Sequence, residues 1–218
     1  CNVSNKCVIQ ALNAESIYEV PINFKKEELD KRVLEYFNLN SSKNIDLKMW
    51  SQVSKHILEA DGEVTIGIVG KYTGLADAYK SLNEALSHGG IYNDVKVNLK
   101  LVESEGLNSN NLLDSLSLCD GILVPGGFGE RGSEGKILAI NYAREKNIPY
   151  FGICFGMQLA VIEIARNILN IKDASSSEFG NCQNSIVGLM TEWTTRGNKI
   201  EKRELNSDLG GTMRLGAY

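Results

Sequence analysis

Residues 148–169 read IPYFGICFGMQLAVIEIARNIL. The first seven are short, apolar and β-prone. From Gly156 onward the apolar residues recur at helical spacing. Between the two halves sits Cys154, with Gly152 two residues before it and Gly156 two residues after. The pattern predicts a buried strand over 149–153 that turns sharply into a helix, and a cysteine presented at the turn. Glycines on both sides permit a crowded backbone. This is the strand–elbow–helix arrangement of a nucleophile, with sulfur in place of a serine oxygen. A helix starting near Phe155 aims its free N–H groups at the sulfur, which favours the reactive thiolate form. The competing reading is a small buried cysteine that only packs.

Moving outward, the same alternation repeats. EVTIGIVG (63–70), VKVNLKLV (95–102) and GILVPGG (121–127) are β-rich runs. LADAYKSLNEALSHGG (75–90), SNNLLDSLSLC (109–119) and SEGKILAINYAREKN (133–147) are helical, the first closed by its glycines. Strands are expected at 64–70, 96–102, 121–126 and 149–153. Strand–helix alternation predicts an α/β fold, a flavodoxin-like parallel sheet with helices on both faces. Sites in such sheets collect at the carboxyl ends of the strands. Two glycine-rich turns fall there: PGGFGERG (125–132) and GICFGMQ (152–158). Gly127 and Phe155 are placed to form a two-donor oxyanion hole beside Cys154. After Ser185, SIVGLM, KIEKREL and GTMRLGAY read as further strands.

Residues 1–60 differ in texture. CVIQ (7–10) and SIYEVP (16–21) are β-like pieces, KKEELDKRVLEYFNL (25–39) one amphipathic helix, and DLKMWSQVSKHIL (46–58) another. This stretch reads as a linker that docks on something else. The chain starts on Cys1 rather than methionine, which reads as an excised fragment.

Composition narrows the function classes. The 218 residues are 43% hydrophobic, enough for one sizeable domain, or one domain with an appendage. Net charge is −4 and no basic block occurs, so nucleic-acid binding is disfavoured. No apolar run approaches the ~20 residues of a membrane span. Five cysteines without a CxxC pair point to reduced thiols and a cytoplasmic setting. IVGKYT (68–73) is not a phosphate loop, because Thr65 and Tyr72 stand where that motif needs glycine and Ser or Thr. The two histidines, His56 and His88, have no neighbours at metal-ligand spacing, so no metal is expected.

At these motifs the chain resembles the class I glutamine amidotransferase domain of the CTP synthase family. GICFGMQ is similar to the nucleophile motif and VPGGFGERGSEGK to the oxyanion loop. SSSEF (175–179) and SDLGGTMRLGA (207–217) carry the resemblance further. The resemblance implies three parts: the tail of a synthase domain (1–22), an interdomain linker (23–60), and a glutamine amidotransferase domain (61–218). It implies glutamine hydrolysis through a cysteine thioester at Cys154, with ammonia passed on to convert UTP to CTP. Gly127 and Phe155 would bind the oxyanion, and Gly156, Met157 and Gln158 would shape the glutamine pocket. Glu178 would hold the substrate's α-amino group. Arg131, Lys71 and Tyr72 would couple to GTP, the family's activator. The domain itself would need no cofactor. ATP, Mg and UTP would belong to the synthase domain of the same chain, and the parent would be a homotetramer. The family's catalytic histidine, the glutamate two residues after it, and an arginine for the substrate carboxylate would lie beyond Tyr218. A fragment without them would turn over little glutamine. Two alternatives stay open: a cysteine hydrolase or DJ-1-like protein on a similar sheet, and an inactive glutamine-binding or docking module.

Overall fold

The computed structural model describes residues 2–40, 43–75, 77–180, 182–188, 192–194 and 199–202. The chain divides into two compact units. The first is residues 1–65 with 79–98, and the second is 66–78 with 99–218.

In the first unit, helices α1 (Val20–Lys26), α2 (Leu29–Tyr36) and α3 (Lys48–Glu59) are followed by α4 (Lys80–Asn93). Four expectations are corrected here. SIYEVP is not β-like: Ser16 accepts a hydrogen bond from the Tyr18 N–H, a 3-10 turn follows over Ile17–Glu19, and Pro21 lies in the first turn of α1. CVIQ forms no strand either. The amphipathic run at 25–39 is two helices, broken where Glu28 adopts a left-handed backbone with φ of 57°. Its carboxylate is kept by Lys31 and Arg32 of the following helix. The helix expected over 75–90 starts later, at Lys80, and runs through both glycines to a left-handed cap at Asp94. Gly90 is glycine because the chain turns back against it: a β-carbon there would lie 2.6 Å from the Val95 carbonyl oxygen. Tyr18 stacks near Trp50 at 6.1 Å and hydrogen-bonds Glu84 at 3.0 Å. His88 meets the same phenol, and His56 pairs with Asp94 at 2.8 Å.

Most residues of the four-stranded sheet belong to the second unit. Strands β1 (Gly62–Gly70), β2 (Val95–Glu103), β3 (Gly121–Val124) and β4 (Tyr150–Gly152) lie in the order β2-β1-β3-β4. Each begins or ends within about two residues of its expected place, and the β1–β3 and β3–β4 pairs are parallel. Crossovers are made by α5 (Leu112–Leu116) and α6 (Ser133–Lys146), and α7 (Phe155–Asn167) follows β4. All four residues of β3 are buried, as a central strand requires. Val69, Ile122, Val124, Ile140, Phe155 and Leu159 are among those that form the core.

Short pairs complete the described chain: β5 (Ala174–Ser176) with β6 (Asn184–Val187), parallel, and β7 (Glu192–Thr194) with β8 (Ile200–Lys202), antiparallel. The strands expected within SIVGLM and KIEKREL correspond to β6 and β8. The one expected at GTMRLGAY lies outside the described residues.

One polar cluster locks α6 to α7. Glu163, fully buried on α7, takes hydrogen bonds from Asn141 and Arg144 of α6 and from Asn167. Burial alone would push this carboxyl up, but the donors outweigh it and hold it below the usual carboxylate range. A depressed carboxyl contributes stability at neutral pH that is lost on acidification through its folded value. Arg144→Met removes the charged donor and strands the carboxylate. It should destabilise the fold by about 3 kcal/mol at neutral pH, read from urea denaturation, with the deficit shrinking as pH falls.

Candidate active site

Cys154 lies between the last residue pairs of β4 and the first turn of α7. Its backbone sits at φ 52° and ψ −105°, a conformation that a side chain makes costly. The strain is enforced from both sides. A β-carbon on Gly152 would fall 2.6 Å from the backbone of Gly156 and Met157, and one on Gly156 would fall 2.1 Å from the Val124 carbonyl oxygen. Positions 152 and 156 must therefore be glycine, and Cys154, midway between them, lies exposed at the bend. Ile153 N–H donates to Val124 O at 2.9 Å, and Gln158 N–H closes the first helical turn on Cys154 O at 3.1 Å. Tyr150 hydroxyl donates to Gly156 O at 2.8 Å and braces the elbow from below, and burial pushes that phenol up. Cys154 is solvent-exposed, whereas Cys119 is buried beneath β1.

The structure brings the second glycine turn to the same place. A β-carbon on Gly126 would lie 3.7 Å from Cys154 Cβ, and one on Gly127 would lie 3.9 Å from the Phe155 ring. Phe155 itself is buried. Helix geometry leaves its N–H without an intrahelical partner, while Gly156 N–H donates to Ile153 O at 2.9 Å. Two hydrogen bonds hold the loop. Lys71 Nζ donates to Phe128 O at 2.7 Å, and Gly129 N–H donates to Glu178 Oε1 at 2.6 Å. Phe179, next to Glu178, stands edge-on against Phe155 with ring centroids 5.9 Å apart.

A sequence profile described as "Glutamine amidotransferase class-I" matches residues 74–218. The chain belongs to this family. Across all 218 residues it is 57% identical to a CTP synthase of Paramagnetospirillum magneticum and 58% identical to one of Brucella ovis. It spans 40% of the length of each of these relatives. A solved structure of the Trypanosoma brucei CTPS glutaminase domain with bound acivicin aligns with a TM-score of 0.55 at 43% identity, covering 58% of this chain and 50% of that one.

Within this amidotransferase domain the remaining expected residues divide into two groups. Gly156 is buried at the elbow, Met157 is exposed and Gln158 half-buried, all on the first turn of α7. Arg131 and Tyr72 meet each other: the guanidinium lies 5.0 Å from the Tyr72 ring centroid and pairs with Glu105 at 3.0 Å. Lys71, expected beside them, is instead buried and directed at the Phe128 carbonyl. Among the described residues no three His, Cys, Asp or Glu side chains gather as a metal site, and no helix is long and apolar enough to cross a membrane.

Sequence reasoning missed Lys136, which is 1% exposed with Nζ 5.1 Å from the Phe155 ring centroid. A signal was present. On α6, Lys136 shares a face with Ala139, Ile140 and Ala143, all buried, so a charge stands in an apolar stripe. Tyr150 and Phe179 were also missed, because nothing in their local pattern separates a brace from ordinary packing.

The elbow geometry gives a direct test. Gly156→Ala drives a methyl group into the Val124 carbonyl. It should lower stability by about 3 kcal/mol or more, seen as a fall in the urea midpoint. Wild-type stability in this variant would show that the helix can slide away from β3.

Proposed function

We propose that this domain is the glutaminase portion of a CTP synthase, hydrolysing glutamine at Cys154 and supplying ammonia to an ATP-dependent synthase that converts UTP to CTP. One observation carries the reading: an exposed cysteine, strained at a strand–helix elbow, faces the glycine loop 126–129 across less than a side chain's width.

The chemistry follows from that placement. The Cys154 sulfur attacks the side-chain amide carbon of glutamine, and the carbonyl oxygen takes up negative charge. The backbone N–H groups of Gly127 and Phe155 are the donors for this oxyanion. Such a donor is worth about 3–4 kcal/mol in the transition state. Collapse of the adduct breaks the carbon–nitrogen bond; the amine departs as ammonia once it has received a proton. Water then cleaves the glutamyl thioester to glutamate and restores the thiol. His56 and His88 are engaged by Asp94 and Tyr18 in the first unit. We assign the base to the histidine that the family uses, with the glutamate that follows it and a carboxylate-binding arginine.

Glu178 is assigned to the substrate's α-ammonium. Its carboxylate already borders the loop through Gly129. The cation–aromatic pair of Arg131 and Tyr72 is assigned to coupling with GTP, and Lys71 supports it by fixing the loop. Residues 1–22 are read as the end of the synthase domain, 23–60 as the linker, and 61–218 as the amidotransferase domain. ATP, Mg and UTP act in the synthase portion of a cytoplasmic homotetramer.

Cys154→Ala in the intact enzyme tests this. Glutamine-dependent CTP formation should vanish, while formation from added ammonia persists. Loss of both activities would instead assign the cysteine a structural role, and retained glutamine turnover would remove it from the chemistry.

A further inference from the structure

The mechanism above leaves one buried cation unused. Lys136 projects from the first turns of α6 into the interior, 1% exposed. Its Nζ lies 3.7 Å from where a β-carbon of Gly127 would be, and 5.1 Å from the centroid of the Phe155 ring. Gly127 and Phe155 are the two residues whose N–H groups are assigned to the oxyanion. The same buried ammonium thus borders both residues. The neighbouring loop residue, Phe128, has its carbonyl held by a second buried lysine, Lys71.

Packing does not explain this arrangement. A methionine or leucine would fill an apolar slot without the cost of burying an ammonium. The charge gains from lying over an aromatic face, and in a site of low dielectric it is felt strongly nearby.

We propose that Lys136 is a positioning residue for glutamine hydrolysis, whose buried ammonium holds the Gly127 loop against Phe155 and places a fixed positive charge behind the developing oxyanion. This rests on the oxyanion-hole reading given above.

The charge state fits the task. Burial, and then the like charge of Lys71, push the amine down to about 8, with the Glu103 carboxylate opposing them. Those are the charged groups acting on it from the ends of β1 and β2. The ammonium is therefore present at neutral pH and is lost just above it. Glutamine turnover should accordingly fall as pH rises past about 8, and the fall should belong to Lys136.

Lys136→Met and Lys136→Arg in the intact enzyme test the inference, with ammonia-dependent CTP formation as the control for folding. Lys136→Met should lower kcat for glutamine hydrolysis roughly ten-fold, less than loss of an oxyanion donor, with KM little changed. Its alkaline limb in kcat should disappear. Lys136→Arg, which keeps the charge, should recover part of the rate and move the limb beyond the measurable range. A Lys136→Met enzyme with wild-type kcat and an unchanged limb would overturn the proposal. If that variant does not fold, Lys136→Arg decides: a wild-type kcat with an unchanged alkaline limb overturns the proposal, and a partial rate with the limb displaced supports it. Failure of the parent reading is separable. Glutamine turnover surviving in Cys154→Ala removes the oxyanion assignment itself, whereas an inactive Cys154→Ala with a normal Lys136→Met removes only the role of the lysine.

Discussion

The first turn of α7 lies so close to β3 that no side chain fits between them. A β-carbon on Gly156 would stand 2.1 Å from the Val124 carbonyl oxygen. That single approach sets the rest of the site. The helix cannot drift from the strand, so Phe155 goes into the core and Cys154 is left on the outside of the bend. The Val124 carbonyl also accepts from Ile153, which ties β4 to β3 at the last residue before the turn. Exposure of the sulfur is thus a by-product of how closely a helix is pressed onto a sheet.

The loop opposite depends on that arrangement and on a ring of polar contacts. Lys71 holds it at Phe128, Glu178 holds it at Gly129, and Phe155 and Lys136 lie against Gly127. Each contact comes from a different element: the end of β1, the 3-10 turn after β5, α7 and α6. A loop fixed from four directions needs little reorganisation when charge develops beside it, which is the condition under which backbone donors act most strongly. The rigidity of those elements is secured in turn by the Glu163 cluster between α6 and α7.

What could be seen in the sequence follows from what each signal measures. The sheet was legible because a strand buried on both faces reads as a continuous β-rich run, as GILV and EVTIGIVG do. The elbow was legible because glycine at positions 152 and 156 reports a backbone approach that side chains forbid. The break at Glu28 was not, because the run from 25 to 39 keeps its helical spacing across a left-handed residue. SIYEVP misled because its β-branched and aromatic residues outweighed a serine cap and a proline start, both of which were visible. Glu163 was invisible as an anchor, whereas Lys136 stood out only as a charge within the buried face of α6. A charged residue in a helix looks the same in sequence whether it faces water or a buried partner, and only packing separates the two. The contact between Glu178 and Gly129 joins residues 49 apart, beyond any local pattern.

The backbone at Cys154, with φ at 52° and ψ at −105°, is one that glycine accepts freely and every other residue resists, at about 1–3 kcal/mol. The position therefore sets the ease of folding against the presence of a side chain. The most comfortable residue for the chain at 154 has no side chain, so the sulfur is held there against the preference of its own backbone. If nothing required a thiol at this one site, drift would run toward glycine, and the resulting chain would be the sturdier protein.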